Sequence, residues 1–473
     1  MFRRLLIAAV LAAAPSLALA QSVQQLKNQP PDGAVMTFLL TDGTVLAQGY
    51  NYSDWYVLTP DKTGSYVNGT WKTVGSLPSN YAPYANASRV LADGRVLIEG
   101  GEYNFGNFAF TNLGAIYDPI AQTWTSVKPP KGWKNIGDSP STVLPDGRFL
   151  VGQKFTKRVA VLDPSTMKWT ELKSKGKNDW NAEEGYTLMP DGTILTYDVL
   201  DNPQSEEYNP TTGKWKSLGS TVVNLQGPPC CGCIQVPPKN WCYYPPGETG
   251  PGMLRPDGTV FATGATHTGS NTAHTAIYTP GSGWAAGPDF PNQDQAGDDY
   301  AALLTDGDVL VEGNSSELYD FDGTNLKDTS VTGQGSLMVL PTGQILMGGV
   351  EVYNNKGTYQ TAWQPTITSS PAKVTGGSTY PISGTQFNGL SEANSFGDEL
   401  EQATNYPLVQ ITNNSSKDVF YARTHDHSSM GVATGSETVS TSFDVPTGAE
   451  KGASSLVVIA NGIPSKPVSV TVQ

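Results

Sequence analysis

A short apolar run, an Asp-Gly or Thr-Gly pair and a second apolar run recur seven times in this chain of 473 residues: FLLTDGTVLAQG, RVLADGRVLIEGG, TVLPDGRFLVG, TLMPDGTILTY, MLRPDGTVFATG, ALLTDGDVLVEG and MVLPTGQILMGG. Each reads as a β-hairpin, because Asp-Gly supplies the positive-φ residues that a tight turn between two strands requires. A third strand follows most hairpins, as in AIYDP, AVLDP, EEYNP and AIYTP, and a fourth carries Trp71, Trp124, Trp169, Trp215 or Trp284. The chain is thereby committed to β-structure built from four-stranded units.

Four strands per unit, at a period of about 50 residues, is the pattern of a kelch-type β-propeller blade. Seven turns predict seven blades over residues 21–365, with the five tryptophans packing between them. From about Pro365 the repeat gives way to short alternating strands, in TITSSPAKVTGGSTYPISG, PLVQITN, VFYARTHDH, STSFDVP and SSLVVIANGIPSKPVSVTV. Their number and length predict an immunoglobulin-like β-sandwich over residues 366–473. The fold class expected is all-β.

Residues 1–20, MFRRLLIAAVLAAAPSLALA, carry two arginines, an apolar run and a small-residue ending, the pattern of a secretory signal peptide. A secreted or periplasmic protein is expected, with no membrane span. Acids outnumber Lys and Arg by 43 to 29, which argues against nucleic acid as a partner. A monomer is expected. Export also bears on the four cysteines, which all lie in CCGCIQVPPKNWC at Cys230, Cys231, Cys233 and Cys242. Close spacing in an exported chain predicts two local disulfides, their pairing open. Zinc, the rival reading, lacks paired CxxC spacing.

An export signal, seven kelch units and a terminal immunoglobulin-like domain resemble the galactose oxidase and glyoxal oxidase family of secreted copper-radical enzymes. The resemblance spans nearly the whole chain. It implies that a histidine-bearing loop of the last domain threads the propeller channel, and THDHSSM lies where that loop should be. On this reading His427, with His425, reaches the channel axis. The family's other copper ligands lie at the start of the innermost strands, eight residues before the turn aspartate. That offset falls here on Ala34, Ala85, Asp138, Glu183, Thr249, Asp298 and Gln334. None is Tyr, His or Cys, so copper-radical chemistry is not expected.

What stands there instead is acidic. Asp138, Glu183 and Asp298 share one offset on three blades and are expected to converge with His427 as catalytic groups, or with His425 and His427 around a divalent cation. Glu184, Glu248 and Asp299 adjoin them, and Trp133, Trp180, Trp241, Tyr243 and His267 are expected to rim the same mouth as substrate-binding residues. Aromatic faces beside carboxylates suit sugar rings, which offer apolar C–H faces and donating hydroxyls. The function expected is binding of extracellular carbohydrate, with action on it left open. The alternatives are a non-catalytic adhesion module and a copper oxidase with atypical ligands.

Overall fold

The computed structural model describes residues 21–229, 231–236, 241–266, 270–333, 335–355, 357–397 and 399–473. Among them there is no α-helix, and regular structure is strand apart from two short 3-10 turns. Seven antiparallel sheets of the repeat follow one another along the chain. Their inner strands are Thr37–Leu39, Ala87–Val90, Ser141–Val143, Thr187–Leu188, Thr249–Leu254, Ala301–Leu303 and Leu337–Val339. Most neighbouring inner strands pack on each other, and Leu337–Val339 returns beside Thr37–Leu39 to close a ring.

The repeat motif forms the hairpin between the first two strands of each sheet, in a form that differs from the expectation. The glycine alone takes positive φ, as in Gly43 at 75° and Gly192 at 80°, and the aspartate does not. Asp42 and Asp191 instead accept the amide two residues on through Oδ1, each at 3.0 Å. The glycine amide closes the turn onto the residue three before it, Gly43 N to Leu40 O at 2.9 Å. The arrangement is a type I turn with a left-handed glycine.

The fourth-strand tryptophans join one sheet to the chain beside it. Trp169 Nε1 donates to Lys128 O at 2.7 Å, Trp215 Nε1 to Ser174 Oγ at 2.8 Å and Trp284 Nε1 to Ser205 Oγ at 2.7 Å. Trp124 lies against Trp55, their ring centroids 4.6 Å apart. The seventh repeat supplies three strands, and Ser22–Gln25 adds the fourth by pairing with Glu351–Asn354. The first residues of the ring therefore complete its last sheet.

A second group of strands begins at Thr366 and runs to Val472, with its own core of Val374, Ile382, Val409, Val439, Phe443, Leu456 and Val470 among others. One excursion leaves this group and fills the centre of the ring. Residues 388–405 meet the inner strand of every sheet. Asn394–Ser395 pairs with Ala301–Ala302, and Glu392 accepts Thr142 Oγ1 at 2.6 Å and Leu188 N at 3.1 Å. Ser391 Oγ reaches Met253 Sδ, Val339 N donates to Asn394 Oδ1, and Thr37 Oγ1 reaches Gln402 Oε1. Arg89, 1% exposed, carries the excursion's charge, with Glu401 at 3.2 Å and Glu392 at 3.5 Å.

The segment expected to thread the ring does not do so. His427 N donates to Ala92 O and Met430 N to Pro145 O, which fixes this stretch at the Asp-Gly turns of the second and third sheets. Asp138 precedes the inner strand Ser141–Val143 and Pro145 follows it. His427 and Asp138 therefore lie at opposite ends of that strand. The His427 ring stacks on Tyr406 at 6.2 Å, with Nδ1 2.9 Å from Thr441 Oγ1.

Candidate functional site

At the end of the ring away from the Asp-Gly turns, the chain approaches several inner strands through a left-handed residue. Glycine takes this place before the third and fifth sheets, at Gly137 and Gly247. Ala85, Glu183 and Asp298 take it before the second, fourth and sixth, with φ of 52°, 55° and 58°. For residues with a Cβ this region costs about 1–2 kcal/mol, so these side chains are held there by their surroundings.

Two of the three expected acids meet, across a lysine. Lys154, fully buried, follows the second strand of the third sheet and places Nζ 2.5 Å from Glu183 Oε1 while pairing also with Asp138 Oδ2. Tyr243 donates its hydroxyl to the same Glu183 oxygen at 2.7 Å. Burial, then the Glu183 charge, holds the Tyr243 phenol well above the usual range. Asp298 is exposed, and its amide reaches Thr249 O at 3.4 Å. Burial, then the charges of Glu399 and Asp298, pushes Tyr84 up to about 12.

Glu102, which the sequence reading did not single out, belongs to this site. It is half-buried in the loop after Gly100 and Gly101, and its carboxyl is pushed up to about 7 by burial, against the pull of Lys154 and with the push of Glu183. Glu102 thus titrates near neutral pH close to a carboxylate tied to an ammonium.

The cysteine insertion supplies one wall. Ile234–Val236 and Trp241–Tyr243 form a hairpin closed by the Cys233–Cys242 disulfide. Trp241 lies 5.1 Å from Phe155 and 6.0 Å from Trp180, and Phe155 lies 4.9 Å from Tyr243. Trp180 and Trp241 stay half-buried, and the cluster continues inward through Tyr243 to Glu183. The expectation of two disulfides is corrected to one among the described residues. Cys231 is an exposed free thiol, and Cys230 lies outside the described residues.

Other expected members stand elsewhere. Trp133 is 2% exposed, packed in the core beneath the Arg158 guanidinium at 5.3 Å, and offers no face to a ligand. Glu184 turns away from the mouth to accept Lys177 Nζ at 2.8 Å. Asp299 is half-buried, and burial, then the charges of Glu312 and Asp294, pushes it up to about 8. Glu248 is half-buried beside the hairpin insertion, where its carbonyl accepts Gly227 N at 2.7 Å. His267 lies outside the described residues.

The expected cation site of Asp138, Glu183, Asp298, His425 and His427 is not assembled. Asp138 and Glu183 meet across Lys154, His427 lies at the other end of the inner strand, and His425 is held by Asp426 at 2.8 Å and Asp444 at 3.2 Å. Burial lowers the His427 pKa to about 3, the opposite of what an acidic surround would do. Among the described residues, one group has the spacing to hold a metal ion, namely Asp179, Glu184 and Asp198.

No family model matches the chain, and no curated protein matches it in sequence. Among solved structures it is similar to a fungal alcohol oxidase of the AA5 family in complex with copper, with a TM-score of 0.51 and 12% identity over 96% of this chain and 98% of that one. It is also similar to a streptogramin B lyase, with a TM-score of 0.48 and 12% identity over 71% of this chain and 97% of that one. At such identity the first likeness speaks for the fold alone.

Proposed function

We propose that this chain is an exported seven-bladed β-propeller with a C-terminal immunoglobulin-like domain, and that it binds extracellular carbohydrate at the ring's mouth. The observation that carries the reading is the hairpin wall. Half-exposed Trp180 packs on half-exposed Trp241, and Trp241 stands one ring contact from Tyr243, which is bonded to Glu183. A sugar would lay its C–H face on an indole and its hydroxyls toward carboxylates. Titration with a panel of neutral and acidic oligosaccharides, followed by tryptophan fluorescence and calorimetry, tests this. Binding that Trp241→Ala and Trp180→Ala weaken at least tenfold is expected. A parent that binds no glycan removes the reading.

A second reading, action on the bound glycan, is favoured by Glu102. A raised carboxyl beside an ionised one is the pairing that glycoside cleavage uses, the first protonating the leaving oxygen. Turnover of a bound glycan, lost in Glu102→Gln with binding kept, separates this reading from an adhesion module, which binds without turnover.

The copper in the similar oxidase prompts a comparison of donors. Among the described residues the mouth offers carboxylates, phenols and an ammonium, while the described histidines His274, His425 and His427 are engaged elsewhere. Copper(II) prefers nitrogen ligands, and this set does not fit it.

A further inference from the structure

Behind the mouth, in the fourth sheet, lies a second and separate cluster. Asp179 comes from the loop before the sheet, Glu184 from the approach to its inner strand, Asp198 from the end of its second strand and Glu206 from its third. All four are buried around Lys177, itself buried. Lys177 Nζ donates to Asp179 at 3.0 Å, Glu184 at 2.8 Å and Glu206 at 3.0 Å. An ammonium has three hydrogens, and these partners use them.

Asp198 is left over. Its Oδ2 accepts one amide hydrogen of Asn178 at 3.1 Å, while Oδ1 is fully buried and has no partner. A bare carboxylate oxygen in a buried site calls for a proton or a cation, and burial, against the pull of Lys177, pushes Asp198 up to about 7. Ligand atoms of Asp179, Glu184 and Asp198 all lie within 4.8 Å of one another, close enough to share one ion. Four carboxyls face one ammonium, and fully ionised they would keep a single negative charge after a doubly charged ion bound.

We propose that Asp179, Glu184 and Asp198 bind a hard divalent cation of the calcium class, with the bare Asp198 oxygen as the ligand that Lys177 leaves available. The donors are all oxygen, which suits Ca²⁺, Mg²⁺ or Mn²⁺ over softer ions. Burial favours Ca²⁺, because Mg²⁺ dehydrates reluctantly and demands near-ideal octahedral geometry. The site is distinct from the carbohydrate reading but adjoins it, because Glu184 follows Glu183 in the chain and an ion on one would stiffen the left-handed backbone of the other.

The test uses the full-length protein freed of metal by chelation. Trp215 lies 4.6 Å from Lys177 Nζ, so Tb³⁺ bound in the cluster should luminesce when tryptophan is excited. We expect one Tb³⁺ per chain, displaced by Ca²⁺, and a rise in melting temperature with Ca²⁺. Asp198→Asn, which keeps shape and the Asn178 bond, should weaken Tb³⁺ at least tenfold and abolish the Ca²⁺ shift. Asp179→Asn should do the same, and Asp146→Asn, at an exposed turn, should leave both unchanged. No response of the parent to Tb³⁺, Ca²⁺, Mg²⁺ or Mn²⁺ overturns the proposal, as does Asp198→Asn binding like the parent. The parent measurement decides even if a variant fails to fold.

Discussion

Lys154 Nζ lies 2.5 Å from Glu183 Oε1, with both residues buried, and the same nitrogen pairs with Asp138. The ammonium therefore stands where two carboxylates would otherwise repel across a gap. Removing it should be severe. Lys154→Met is expected to cost about 3–5 kcal/mol, because it leaves two buried carboxylates without their counter-charge. Adding Asp138→Asn and Glu183→Gln to Lys154→Met should recover much of the loss. Urea denaturation of the single and triple variants measures both.

The pH dependence of stability should carry a signature of His427. Folded, its pKa is lowered to about 3 by burial, against 6.5 for an ordinary histidine. Between these values the unfolded chain binds a proton that the folded chain does not. Its contribution is complete above pH 6.5 and is lost as pH falls toward 3, at about 1.4 kcal/mol per unit. His427→Gln should flatten the slope between pH 6.5 and 4.5 relative to the parent. Denaturation midpoints at several pH values across that range give the comparison.

Two tryptophans expected to act alike should now differ. Trp133→Ala is expected to cost about 3–5 kcal/mol, since a fully buried indole is lost from the core. Trp241→Ala, at the half-exposed wall, should lower glycan affinity with a much smaller change in midpoint. Equal stability losses in the two would contradict the placement of Trp133.

The cysteine loop makes a chemical prediction. Alkylation of the native, unreduced protein should label Cys231, and peptide mapping should recover Cys233 joined to Cys242. An unlabelled Cys231, or a different partner for Cys242, would contradict the hairpin described. Reduction should loosen the wall and weaken glycan binding while the sheets of the ring stay folded.

The sheets were legible because the Asp-Gly motif carries its own physics: a left-handed glycine and a side-chain oxygen that accepts the amide two residues on. The offset of Asp138 and Glu183 from that turn was legible for the same reason. What the repeat could not tell was which residue answers them. Lys154 sits after a strand whose counterparts differ in type, and Glu102 follows a glycine pair, so neither shares an offset with the acids. Arg89 left a signal, a charge within an inner strand of small and apolar neighbours, and such a charge implies an acid at the ring's centre. The histidine pair misled because its partners, Tyr406 and Thr441, come from its own part of the chain, and sequence spacing is silent on which loop fills a channel.

Residues 388–405 leave the ribosome after every strand of the ring has been made. Until they arrive, Arg89 and the inward ends of seven strands enclose a space with no acid to meet the guanidinium and no side chains to fill it. The ring is thus finished from the inside by a segment made after all of its own strands. A nascent protein stalled or cut before residue 388 would expose at its centre the polar groups that Glu392 and Glu401 later satisfy. Quality control that recognises such an unfilled centre would see this protein as incomplete until residues 388–405 have emerged.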